Sequence, residues 1–167
     1  NPKVARPVSS VVVRPPVTAR DYRTTPGDRI TLINLYGRKG GELFWRLAER
    51  MPEHRFLGVL GAYGDQVVRE APNVEVVPHV PADQMAERVY SRTRVLIMPS
   101  VYESWGRTGV EALASGIPVV AHPTPGLRES LGDAGIFVDR DDLDGWVKAL
   151  AELDDPETWR AASTRAK

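Results

Sequence analysis

The chain has 167 residues, 42% hydrophobic and 26% charged, a globular composition on the scale of one domain. Its 22 Lys and Arg balance its 22 Asp and Glu, so no net field draws it to nucleic acid or to an anionic membrane. The lack of cysteine excludes disulfides and thiolate metal sites and leads to the expectation of a reducing, cytoplasmic setting; no apolar run reaches the roughly 18 residues of a bilayer span, and the start NPKVARPVSS lacks the apolar stretch of a signal peptide.

Five of the 14 prolines (Pro2, Pro7, Pro15, Pro16 and Pro26) fall in the first 26 residues around SSVVVRPPV, so residues 1–27 read as an extended linker or edge strand. From RITLINLY onward, apolar runs of strand length alternate with helical patterns, the signature of a parallel sheet with crossover helices. Strands are predicted over 30–35, 55–60, 74–78, 94–98, 117–121 and 135–138. GELFWRLAERMP places Leu43, Phe44, Leu47, Ala48 and Met51 on one helical face, ending before Pro52. PADQMAERVYSR repeats the pattern with Met85, Val89 and Tyr90 behind a first-turn proline. Trp146, Val147, Leu150 and Leu153 mark a further helix, and Pro156 opens another that is still running at Lys167, with Trp159 available for packing, which leads to the expectation of a chain cut from a longer one. The organisation is thus a linker (1–27), one α/β domain (28–155) with a Rossmann-like, doubly wound parallel sheet of about six strands and helices on both faces, and the start of a truncated C-terminal helix (156–167).

In such a sheet, ligands bind outside the carboxyl ends of the strands. Four loops share that edge: YGRKGG (36–41), GAYGD (61–65), PHVPAD (78–83) and SVYESWGRTG (100–109). The first combines glycines with Arg38 and Lys39 at a helix entrance, suited to phosphate, the alternative being a solvated basic turn. GAYG lacks the spacing of a dinucleotide fingerprint, and no Gly-Lys-Ser/Thr is present, which argues against a nicotinamide enzyme and a P-loop. In the last loop, GRTGVEALASG builds a helix with an expected apolar face of Val110, Leu113 and Ala114, ending at Gly116. The unpartnered first-turn amides of Gly106, Arg107 and Thr108 favour an anion. Glu103 and Glu111 flank that point, and carboxylates there suit neutral hydroxyls on either side of a phosphate, such as those of a sugar and a ribose. The alternatives are an ion pair of Glu111 with Arg107 four residues earlier and a solvated Glu103. His54, His79 and His122 share no metal spacing; His79 alone falls on the ligand edge, where it would line a base pocket. Trp105 is the one tryptophan on that edge.

At these residues the sequence resembles the C-terminal domain of retaining glycosyltransferases with the GT-B fold, in the large family four that uses nucleotide-sugar donors. The resemblance runs from VVVRPPV to the chain end and is most specific in PS-x-x-E-x-W-G-x-x-x-x-E-A-x-A-x-G-x-P-V-V-A. It implies that Glu103 binds donor-sugar hydroxyls, Glu111 the ribose, the amides of Gly106 to Thr108 the diphosphate, and that Lys39 neutralises it. TPGLRE (124–129) resembles the following Gly-rich turn, and VLG ending at Gly61 a strand end beneath the nucleotide. Ile33 and Asn34 stand where the family carries an arginine, a charge that Arg38 would replace; Trp105 replaces a phenylalanine, and Arg107 stands where an apolar residue is common. The resemblance implies a nucleoside diphosphate sugar as donor substrate, no metal or other cofactor, front-face transfer with retention and no enzyme nucleophile, and an N-terminal acceptor domain as partner, without which this domain is inactive. It gives no indication of membrane association. Two other classes compete, a non-catalytic nucleotide-sugar binding module and an unrelated flavodoxin-like domain, and within enzymes a sugar epimerase of the same architecture is a related alternative. A flavodoxin-like domain would need acidic residues after the first strand, where Asn34 and basic residues stand.

Overall fold

The computed structural model describes residues 11–166; residues 1–10 of the expected linker and Lys167 lie outside that range. Residues 11–18 form a connector without regular structure, not an edge strand: Pro15 and Pro16 have no N–H to donate to a ladder, and Val11 to Val13 are largely exposed. A single helical turn, α1 (Ala19–Tyr22), then inserts Tyr22 into the core. The remaining elements alternate: β1 (Arg29–Ile33), α2 (Gly41–Arg50), β2 (Phe56–Val59), β3 (Val74–Val77), α3 (Met85–Arg88), β4 (Thr93–Met98), α4 (Arg107–Leu113), β5 (Val119–Ala121), α5 (Pro125–Leu131), β6 (Gly135–Phe137), α6 (Leu143–Glu152) and α7 (Pro156–Arg165).

All six strands pair in parallel in the order β3-β2-β1-β4-β5-β6. This is the doubly wound sheet expected from the sequence and one half of a GT-B architecture; its order also differs from the 2-1-3-4-5 order of flavodoxin-like sheets. Alternate strand residues face opposite layers, as a period of two requires. Ile30, Leu32, Phe56, Val95 and Ile97 pack against α2, α6 and α7, whereas Leu57, Val59, Leu96, Met98 and Val119 pack on the other side with α1, α3, α4 and α5. Both faces are covered, which is why the strands read as continuous apolar runs.

The boundaries that differ from expectation have local causes. β1 stops at Ile33 because Asn34 takes a left-handed φ of 75°, a conformation that asparagine tolerates. β5 starts at Val119 because Ile117 closes the preceding helix, donating its N–H to Ala112 O at 3.1 Å, while Gly116 donates to Leu113 O at 2.8 Å. α4 itself ends at Leu113, short of the expected stop, and Gly116, at a φ of 69°, closes the turn that follows it. The expected apolar face of α4 is corrected: Val110 and Ala114 are half-buried, and the buried positions are Gly109, Glu111, Ala112 and Leu113. Gly109 and Leu113 face the sheet and α5, and the rotation this sets carries Glu111 inward.

Segment 82–92 also departs from a continuous helix. Met85, Val89 and Tyr90 are buried as expected, but the backbone breaks into short turns, with Val89 at φ −121° and ψ −62°. Thr93 Oγ1 donates to Val89 O at 2.8 Å and the Ser91 hydroxyl donates to Glu87 O, so side chains take over acceptors a longer helix would have used. α7 is capped by Asp155, which accepts from Thr158 N at 2.7 Å, and its Trp159 packs on this same domain, donating to Arg94 O at 3.1 Å.

Phe44 has no exposure and meets Trp45 and Phe56 edge-on, with ring centroids 5.4 and 5.6 Å away. Phe44→Ala is therefore expected to lower unfolding free energy by about 3–5 kcal/mol, read from the urea midpoint at unchanged slope.

Candidate active site

The strand order reverses between β1 and β4, and the loops leaving them part to opposite faces. The crevice continues into a cavity of about 390 Å³. Its floor is apolar, formed by residues such as Leu32, Val59, Leu96 and Met98, and its rim carries Lys39, Gly61, His79, Glu103, Gly106, Arg107, Thr108 and Glu111. Eight of the nine residues singled out from the sequence thus border one space. Arg38 is not among the lining residues; its side chain is exposed, and what it contributes inward is its carbonyl, which accepts from Val101 N at 2.9 Å.

Lys39 ends a short 3₁₀ turn, Gly37–Lys39, that leads into α2. Its Nζ meets Glu103 Oε1 at 2.5 Å, and Ser100 Oγ donates to the same oxygen at 3.0 Å. Both charged side chains are mostly shielded, at 23% and 15% exposure, so this pair is stronger than a surface one. Arg140, from the loop between β6 and α6, holds the two loops in place. Its guanidinium donates to Gly37 O at 2.7 Å, to Arg38 O at 3.3 Å and to Pro99 O. Burial lowers the Arg140 pKa, which nonetheless leaves a cation beneath the turn that carries Lys39. His122 Nδ1 accepts from Arg140 N at 3.0 Å and fixes the backbone behind it.

The first turn of α4 faces the same cavity. Gly106 caps it at a φ of 74°, left-handed and costly for any other residue, and a side chain there would collide with Leu127. Gly126 permits a second close approach: α5, capped by Thr124, lies against the backbone of Glu103 and Ser104, where a Cβ would not fit. TPGLRE is thus a capped helix start that supports the Glu103 loop. Trp105 lies half-buried beneath the guanidinium of Arg14, 5.3 Å from its centroid, and Arg14 also pairs with Glu129 of α5.

Glu111 combines the two readings open to it from sequence. It is 5% exposed and borders the cavity, yet its Oε1 pairs with Arg107 Nε at 2.8 Å. Its Oε2 accepts from the Tyr90 hydroxyl at 2.7 Å. Arg107 Nη2 reaches on to the Tyr22 hydroxyl at 2.9 Å, and that bond, with the Glu111 charge, raises the Arg107 pKa. Gly61, at the end of β2, donates its N–H to Gln66 Oε1 at 2.9 Å, and Gln66 Nε2 donates to Asn34 Oδ1 at 3.1 Å, so the GAYGD loop is stapled to the end of β1. Sequence reasoning took Tyr90 only as core and missed Arg140, because each lies far along the chain from the residues it supports, and it missed Gln66, whose bond to Asn34 spans 32 positions. His54 pairs with Asp154 at 2.9 Å, away from the cavity. Among the described residues no group of three or more His, Asp or Glu side chains gathers as for a metal, and no helix is long and apolar enough to cross a membrane.

Residues 34–155 match the family model described as glycosyl transferases group 1. Similar curated proteins include the O-antigen chain mannosyltransferase B of Escherichia coli, 29% identical over 78% of this chain and 30% of its own length. A D-inositol 3-phosphate glycosyltransferase of Mycobacterium sp. (strain KMS) is 31% identical over 91% of this chain and 41% of its own. The chain therefore spans less than half the length of these relatives. Among solved structures, sucrose-phosphate synthase from Thermosynechococcus elongatus superposes with a TM-score of 0.74 at 21% identity, over 90% of this chain and 45% of that one. The Anabaena protein HepE, in complex with UDP and glucose, gives 0.72 at 17% identity, over 90% and 49%. At such identities these two likenesses speak to the fold.

Arg140→Leu would remove the bonds to the Gly37, Arg38 and Pro99 carbonyls, of which Gly37 O keeps Gly40 N and Arg38 O keeps Val101 N as donors. We expect it to cost about 2 kcal/mol of stability and to raise amide hydrogen exchange at Lys39, Gly40 and Val101 ahead of the core strands, measured by NMR.

Proposed function

Because the chain belongs to the group 1 glycosyl transferases, we propose that it is the donor-binding half of an enzyme that moves a sugar from a nucleoside diphosphate to an acceptor hydroxyl with retention at the anomeric carbon. The observation that carries this reading is the juxtaposition of Lys39 and Glu103 in one cavity with the start of α4 and Glu111. A cation, a helix start and two acids in that order suit a diphosphate with neutral hydroxyls on either side.

In this reading the diphosphate lies against the amides of Arg107 and Thr108, which have no acceptor within their own helix. Lys39 opposes its charge, with the Arg140 guanidinium behind it. Arg38, directed outward, is a weaker candidate for that task than the sequence implied. Glu103 accepts hydrogen bonds from the sugar, and Glu111 from the ribose. His79, exposed on the rim, borders the end of the cavity left for the base. The bond from the anomeric carbon to the diphosphate breaks as charge develops on the leaving oxygen. Lys39 and the helix start stabilise that charge more than the ground state, which is the requirement for catalysis. The acceptor hydroxyl attacks from the same face, its proton passing to the departing phosphate oxygen, so Glu103 is not required as a nucleophile. Acceptor recognition and transfer belong to the whole enzyme.

Calorimetric titration of the chain with UDP, GDP and ADP tests the reading. One of the three is expected to bind, and Lys39→Ala to weaken it by about tenfold or more, the scale of a lost charge-assisted bond. Glu103→Ala should leave the diphosphate within about twofold and weaken its sugar conjugate about tenfold. Binding of none of the three by the wild-type chain overturns the proposal.

A further inference from the structure

The Glu111 carboxylate is oriented by a residue that does not reach the cavity. Tyr90 has no exposure and is absent from the lining, and its ring stands edge-on to Tyr22 with centroids 6.2 Å apart. Its hydroxyl donates to Glu111 Oε2 at 2.7 Å, with a longer approach of 3.3 Å to Thr108 O. On the other oxygen sits Arg107 Nε, at 2.8 Å, from a side chain 52% exposed. A carboxylate offers about four lone-pair positions. The two bonds take one on each oxygen and leave one on each oxygen free.

We propose that Tyr90 is a positioning residue for ribose recognition: its hydroxyl locks Glu111 in the rotation that leaves one acceptor position per oxygen for the adjacent 2′- and 3′-hydroxyls of a nucleoside diphosphate. The inference rests on the donor-binding reading above and adds to it a residue and a specificity. Two vicinal hydroxyls and two carboxylate oxygens form a matched pair only while the carboxylate plane is fixed. Arg107, itself held by the Tyr22 hydroxyl, cannot fix it alone, because one bond to one oxygen leaves the terminal torsion of Glu111 free. Tyr90 is suited to the task because it donates from the packed interior. Burial, and then the neighbouring Glu111 charge, push its ionisation well above the ordinary tyrosine range. A site built to bond hydroxyls discriminates strongly against a ligand that lacks them, since its own polar groups are then left unpaired.

The test titrates the 167-residue chain and its Tyr90→Phe variant with whichever of UDP, GDP and ADP binds, and with the 2′,3′-dideoxy form of the same nucleotide. The wild type is expected to prefer the ribose form by about tenfold or more. In Tyr90→Phe that preference should shrink to about twofold, with affinity for the dideoxy form unchanged. A preference that survives in Tyr90→Phe, or an equal loss for both ligands, overturns the inference and makes Tyr90 structural only. Glu111→Gln tests the same contact with Tyr90 intact. Tyr90 would hold the amide oxygen, leaving an NH₂ group on the Arg107 side that cannot accept, so the preference should again fall severalfold; an unchanged preference overturns the inference. Wild-type binding without ribose preference removes this inference and leaves the donor-binding reading standing, whereas no binding at all removes both.

Discussion

Between β1 and β4 the sheet reverses the direction in which strands are added, so the loops leaving these two strands turn to opposite faces and their backbone groups lose sheet partners. Arg140 answers that constraint. One planar guanidinium takes up carbonyls of Gly37, Arg38 and Pro99 from both loops, beside the single backbone bond from Val101 N to Arg38 O that joins them. Lys39 follows immediately after the first two of those carbonyls, and Ser100 and Glu103 shortly after the third. The placement of charge in the cavity is thus a consequence of how a break in strand order is closed.

Every charged group in that cavity is already engaged. Lys39 is paired with Glu103, and Arg107 with Glu111, so a chain of zero formal net charge presents alternating signs a few ångströms apart. Such pairing keeps half-buried charges from bearing the full cost of desolvation. In the proposed donor-binding reading, an incoming diphosphate would take cations from carboxylates that neutral hydroxyls would then satisfy. The two exchanges support one another, which is a physical reason for a sugar and a ribose to flank the phosphates of a single ligand.

The sheet was legible from sequence because both its faces are covered and its strands are short apolar runs bounded by turns, as RITLI and TRVLIM show. Its boundaries were less so. The left-handed turn of Asn34 and the takeover of Ile117 by α4 are decided by backbone bonds that hydrophobic pattern does not carry. Of the site, Glu103 and Glu111 stood out because they interrupt apolar patterning on the ligand edge, and Lys39 because it stands among glycines at a helix entrance. Tyr90 did not, because at helical spacing with Met85 and Val89 it reads as core, and it is core; only its hydroxyl, aimed at a carboxylate 21 positions later, gives it a second role. The same limit applied to α4, where counting apolar residues placed Val110 and Ala114 inward and missed that a carboxylate can occupy a buried face when a tyrosine meets it there.

Arg14 belongs to the stretch that leads into the domain, yet it rests on the indole of Trp105 and pairs with Glu129. Trp105 lies two residues from Glu103, and α5, which carries Glu129, packs through Gly126 on the backbone of Glu103 and Ser104. The entering segment therefore holds the loop that carries Glu103 by two routes, through the indole of Trp105 and through α5.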